Sequence, residues 1–141
     1  MKETLLKAGT VIIGDGNLIE NASILIQNGI ISRIEEKIPI GLETEVLDFS
    51  DCVVMPGMID PHVHVCFDGS PNMAETRLFS DELLAIRGGK LLEILLQQGV
   101  TTVGDAAGRG NVPFAVKEAI DRGFVNGPRF LPCGRMITVT G

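Results

Sequence analysis

The chain has 141 residues, 45% hydrophobic and 21% charged, with neither Trp nor Tyr and a formal net charge of −6, so a globular fold with an aliphatic core is expected. The acidic balance and the lack of any Lys/Arg cluster argue against nucleic acid, and no run approaches the 18 apolar residues of a membrane span. Cys52, Cys66 and Cys133 are odd in number with no C-x-x-C, and the N-terminus has no apolar signal region, which points to a reduced, cytoplasmic setting rather than a disulfide framework.

Residues 4–8 and 10–13 read as two short strands, followed by a turn at Gly14-Asp15-Gly16. Residues 22–27 and 30–35 flank Asn28-Gly29, the strongest two-residue signal for a β-hairpin. Residues 44–49 and 52–55 are two more candidate strands. Several short strands with frequent turns predict a small sandwich or partial barrel over residues 1–57.

The pattern changes after Gly57. Residues 58–65 read as a strand that starts behind a Pro-Gly turn. Residues 80–98 read as a helix, because Leu84, Gly88, Leu91, Leu92 and Leu95 share one face. Ser80 or Asp81 can cap its start and Gly99 its end. Residues 100–103 form a β-branched strand. A second helix opens at Asn111-Val112-Pro113, where proline is tolerated in the first turn, and runs to about Arg122. Residues 130–133 form a third strand. This β-α-β-α-β order predicts parallel strands over residues 58–141.

The richest stretch is Asp60-Pro61-His62-Val63-His64, which holds both histidines of the chain. In a strand, residues i and i+2 point to one face. His62 and His64 can therefore aim both imidazoles at one point, and imidazole is a common metal ligand. Asp60 lies one pleat earlier on the same face. On their own, two alternating histidines fit a half-exposed sheet position equally well.

Their surroundings carry more. Pro56-Gly57-Met58-Ile59-Asp60-Pro61-His62-Val63-His64 closely resembles the first barrel strand of the amidohydrolase superfamily, and Gly99-Val100-Thr101-Thr102-Val103 follows in the family's order. The segment from Gly127-Pro128-Arg129 to Gly141 is similar to the imidazolonepropionase-related branch, which includes metal-dependent prolidases and carboxypeptidases. The fold implied is a small β-sandwich followed by the first three β/α units of a (β/α)₈ TIM barrel. A full barrel needs about 250 residues, so the chain is expected to be the N-terminal part of a longer enzyme.

The resemblance implies a metal-dependent hydrolase of carbon–nitrogen bonds, with a divalent metal, Zn, as one or two ions. His62 and His64 would ligate the more buried ion. The other ligands, two histidines, a carboxylated lysine or glutamate, and an aspartate that acts as general base, would lie on later strands. The substrates implied are small molecules, dipeptides or N-acyl amino acids. Asp-Pro-His-Val-His also looks like cyclic-amide hydrolases such as dihydroorotases and hydantoinases, the alternative enzyme reading. A homo-oligomer is expected, with no nucleic-acid or membrane partner. Alone, the 141 residues are expected to be catalytically inactive; the reading from another class is a non-catalytic fragment that associates through its strand edges.

Weaker signals surround the motif. Asp60 could support a ligand histidine or cap a turn. Asp105 ends the second strand within the glycine-rich loop 104–110, which lacks the spacing of a phosphate loop. Relatives often carry Arg where this chain has Gly104. Arg109 and Arg135 could meet a substrate carboxylate or merely be solvated. Cys66, by strict alternation, falls on the histidine face. Residues 137–141 could form a substrate loop.

Overall fold

Two ten-residue strands joined through an Asp-Gly turn, and a six-residue strand after an Asn-Gly turn, open the fold. The structure, a computed structural model, describes residues 3–67, 69, 73–137 and 139; of residues 137–141, only 137 and 139 are among them. It consists of two compact units, Met1–Pro56 and Gly57–Gly141.

The first unit is one four-stranded sheet. β1 (Glu3–Ile12), β2 (Leu18–Gln27) and β3 (Ile30–Glu35) form an antiparallel meander, and β4 (Glu45–Val54) pairs with β1 in parallel, giving the order β3-β2-β1-β4. Asn28 and Gly29 both have positive φ, 53° and 79°, the geometry of the tight hairpin turn that the dipeptide predicts. Two expected breaks are absent. Residues 4–8 and 10–12 belong to one strand, as do residues 45–49 and 52–54, because the irregularities at Gly9 and around Ser50 are bulges facing each other. A β-carbon at Gly9 would stand 2.5 Å from the Ser50 carbonyl oxygen, so the bulge closes only on glycine. Ala8, Val11, Ala22 and Ile24 are buried on one side, and Leu5 and Leu25 pack with Ile38 in a separate cluster. Among the described residues the expected sandwich is thus a single sheet, and its apolar residues are divided between two small clusters.

The second unit is a three-stranded parallel sheet, β5-β6-β7, with β5 (Met58–Val63), β6 (Val100–Asp105) and β7 (Arg129–Leu131). Between β5 and β6 run a single helical turn, α1 (Met73–Thr76), and α2 (Asp81–Gln97). Between β6 and β7 lies α3 (Val112–Asp121). Parallel pairing follows the predicted order of elements. Ser80 caps α2, its hydroxyl accepting the Leu83 N–H, and Asp81 and Glu82 suit the positive end of the helix. Asn111 precedes α3 without a side-chain cap bond. The predicted strand 58–65 stops at Val63, and the predicted strand 130–133 is displaced to residues 129–131.

Leu84, Leu92, Val103, Val116 and Phe130 form the core between helices and sheet. Burial of each large aliphatic side chain contributes about 1.5–3 kcal/mol. The Gly88-Gly89 pair in α2 lets the helix lie close to its neighbours. A β-carbon at Gly88 would be 3.1 Å from the Val65 carbonyl oxygen, and one at Gly89 would be 3.3 Å from Val125 Cγ1. Glycine weakens a helix interior by about 1 kcal/mol relative to alanine, but alanine at either position would crowd these neighbours. Among the described residues no helix is long and apolar enough to cross a membrane.

Candidate metal centre

The three strands of the second sheet point the same way, so their exits, residues 64–67, 106–111 and 132–137, gather at one edge. Three backbone links join them. Ala106 N–H donates to the Val63 carbonyl at 2.8 Å, Gly108 N–H donates to the Gly134 carbonyl at 2.6 Å, and Gly108 bridges Arg135.

His62 is the penultimate residue of β5 and is exposed; His64 is the first residue beyond it and is half-buried. The i, i+2 relation survives the end of the strand. The two rings lie 5.3 Å apart between centroids and nearly perpendicular, at 86°. Two nitrogens that each lie roughly 2.0–2.1 Å from one zinc ion are no more than about 4.2 Å apart, and this ring separation is compatible with that limit.

His64 is the better-held of the two. Its Nδ1 is 3.1 Å from the carbonyl oxygen of Ala107. A carbonyl only accepts, so Nδ1 carries a proton, and in the neutral ring Nε2 is then the nitrogen with the free lone pair. That is the arrangement in which an outer partner fixes the tautomer of a ligating histidine. The Phe67 ring closes the other side, 5.7 Å away at 74°. The donor set therefore fits part of a metal site. Among the described residues no group of three or more His, Cys, Asp or Glu side chains converges on one point.

Asp60 does not support a ligand histidine. Its Oδ1 accepts the backbone N–H of His62 at 3.1 Å, a local cap that orients the chain just before the pair. Cys66 departs from the histidine face as well. The chain turns directly after His64, with Phe67 N–H donating to the His64 carbonyl at 3.0 Å. Alternation ends there, and Cys66 enters the core at 2% exposure.

Asp105 is the buried polar residue near the pair whose role is least visible from sequence. It is buried at the end of β6, and its Oδ1 accepts the N–H of Val65, next to His64, at 3.1 Å. Oδ2 is buried without a well-formed hydrogen bond. Burial pushes this carboxyl above the usual carboxylate range, and the Val65 and Cys133 N–H groups pull the other way. Just before it, a β-carbon at Gly104 would lie 2.8 Å from the Pro61 carbonyl oxygen. No arginine fits at 104 on this backbone, so a role for one there is absent.

Arg109 is not a solvated surface residue. Its guanidinium reaches Asp81 through Nε at 2.7 Å and Nη2 at 2.6 Å, the Arg77 carbonyl at 3.4 Å, and the Phe79 carbonyl. Arg135 is exposed beyond β7. A cavity of about 240 Å³ opens beside this loop, lined by Cys66, Phe67, Thr76, Arg77, Leu84 and Met136 among others.

The model of the amidohydrolase family matches residues 53–140. A dihydropyrimidinase of Arabidopsis thaliana is 36% identical over 90 residues, which are 64% of this chain and 17% of that protein. An imidazolonepropionase of Caldanaerobacter subterraneus subsp. tengcongensis is 33% identical over 118 residues, covering 65% of this chain and 28% of its own length. Among solved structures, a Xaa-Pro dipeptidase with methionine bound in its active site superposes with a TM-score of 0.86 at 29% identity, over 96% of this chain and 34% of that one. The chain thus spans well under half the length of these relatives.

Proposed function

Since this chain belongs to the amidohydrolase family, we propose that it supplies the first metal-binding pair, His62 and His64, of a metal-dependent hydrolase of carbon–nitrogen bonds. The observation that carries the reading is the His64 ring. Its Nδ1 proton is held by the Ala107 carbonyl and its Nε2 lone pair is left for a ligand, beside a His62 ring 5.3 Å away. A divalent ion at this pair, zinc being the choice that suits imidazole, would polarise a scissile carbonyl and lower the pKa of water.

The protein's own residues do the rest of the work seen in this unit. The Ala107 carbonyl orients the His64 ring, and Asp60 caps the backbone at His62. Asp105 locks the turn after His64 through Val65 N–H. The site stands at the exit ends of parallel strands, where a (β/α)₈ barrel assembles its chemistry. The second unit is accordingly read as the first three β/α units of such a barrel, and the four-stranded sheet before it in the chain as one part of a β-sandwich.

The substrate class we favour is a dipeptide or N-acyl amino acid, supported by the likeness to the Xaa-Pro dipeptidase over 96% of the chain. The second reading is a cyclic amide, supported by the dihydropyrimidinase and imidazolonepropionase relatives.

Calorimetric titration of the chain with Co²⁺ tests the metal pair. Binding by the wild type, with loss in both His62→Ala and His64→Ala, is the expected result; binding that survives both substitutions would overturn it. The substrate reading is tested on a longer polypeptide that includes this chain and the remaining barrel strands, assayed with Xaa-Pro dipeptides against dihydropyrimidines. Turnover of the dihydropyrimidine alone would favour the second reading.

A further inference from the structure

We propose that Arg109 is a positioning residue for His64: by tying the loop after β6 to the start of α2, it holds the Ala107 carbonyl where that carbonyl fixes the His64 ring. The functional meaning of the brace rests on the reading of His64 as a metal ligand; the brace itself does not.

The loop is anchored residue by residue. Ala106 N–H is bound by Val63 and Gly108 N–H by Gly134. Arg109 N–H is bound by the sulfur of Cys66 at 3.2 Å. The Ala107 carbonyl projects from between these anchors to His64 Nδ1. Sulfur is a weak acceptor, so the downstream end of the loop depends on the Arg109 side chain. That side chain has a fork suited to the task. Two nitrogens meet the Asp81 carboxylate, and the remaining contacts go to the carbonyls of Arg77 and Phe79. An isolated exposed ion pair contributes little. Here the charge is combined with two backbone acceptors in fixed places, and two donors of one planar guanidinium converging on Oδ1 of Asp81 add direction. Space is reserved for the carboxylate, since a β-carbon at Gly110 would lie 2.9 Å from Asp81 Oδ2. Asp81 is itself fixed in the first turn of α2.

The experiment is nitrogen-15 NMR of the imidazoles in the metal-free chain, paired with Co²⁺ titration. In the wild type, His64 is expected as the single Nδ1–H tautomer. Arg109→Gln should turn this into a tautomer mixture and weaken Co²⁺ binding about 10–100-fold, the usual cost of losing a partner behind a ligand. Arg109→Lys should fall between the two. Arg122→Gln, which breaks only the pair with Glu118 on α3, should change neither readout. A folded Arg109→Gln chain with unchanged His64 signals would overturn the brace. If that variant does not fold, Asp81→Asn replaces it. It keeps the carbonyl contacts and weakens the fork, and an unmoved His64 tautomer there also overturns the proposal. A wild type that binds no Co²⁺ while Arg109→Gln still shifts the tautomer would sink the metal reading and leave the brace standing.

Discussion

The sulfur of Cys66 accepts the backbone N–H of Arg109 at 3.2 Å, joining residues 43 positions apart. The thiol is therefore both part of the core and a tether for the loop. Burial pushes it above the usual thiol range, and the Arg109 N–H offsets this only in part. Cys52 is exposed, yet the carboxylate of Asp51 beside it also holds its thiol up. With an alkylating reagent near pH 8, Cys133 should be labelled first, Cys52 later, and Cys66 only on unfolding. Raising the pH should accelerate Cys52 most, because a raised pKa means that its thiolate is scarce until then. Mass spectrometry of timed samples reads the order.

Gly104 faces Pro61 across the β5–β6 pair. Gly104→Ala would force its β-carbon to 2.8 Å from the Pro61 carbonyl oxygen, at a cost of about 1–3 kcal/mol as the strands shift. Urea denaturation monitored by circular dichroism should show a lower midpoint with an unchanged slope. A midpoint equal to wild type would show that the strands part freely there.

Leu84 and Leu92 are each 1% exposed between α2 and the sheet. Leu92→Ala should cost about 2–5 kcal/mol, read from the same denaturation curves. Leu83, exposed on the opposite face of that helix, should tolerate alanine within about 0.5 kcal/mol.

Acid should weaken the first sheet. The Asp48 carboxyl is held below its ordinary range by the Ser50 hydroxyl and then by the Ser50 N–H, and Asp15 by the Asn17 N–H and then its side-chain amide. A depressed folded-state pKa gives stability that is present above the unfolded value and is lost as pH falls through the folded one. Melting temperatures should therefore drop below about pH 4. Asp15→Asn and Asp48→Asn should each flatten that slope, and an unaltered slope in both would remove these residues as its cause.

The zinc-loaded 141-residue chain should hydrolyse neither dipeptides nor cyclic amides. Catalytic zinc sites use three protein ligands plus water, and among the described residues only His62 and His64 converge. Turnover above a His64→Ala control, followed by chromatography, would contradict this.

What could be read from sequence was local. Asn28-Gly29 fixed a hairpin because two adjacent residues determine that turn. Ser80 capped α2, and the alternation of strands and helices foretold a parallel sheet. The same holds for the pair His62 and His64, whose shared direction follows from spacing alone. What escaped was long-range. The parallel union of β1 with β4 joins residues some 40 positions apart, and only that union explains why Gly9 and Ser50 bulge instead of ending strands. Asp105 gave no periodic signal; its importance comes from burial against Val65. Arg109 was equally hidden, since its partners Asp81, Arg77 and Phe79 lie about 30 residues earlier. The exit of Cys66 from the histidine face depended on a turn that alternation cannot foresee.

The placement of β4 against β1, outside the meander, has a consequence for the growing chain. A ribosome adds roughly 5–20 residues per second, so the three-stranded ribbon is synthesised on the order of a second before β4 follows it. Throughout that interval the side of β1 that β4 will occupy has no strand to pair with. The nascent protein is most open to mispairing in that interval, and a pause in translation after β4 has emerged from the ribosome would shield it better than one before.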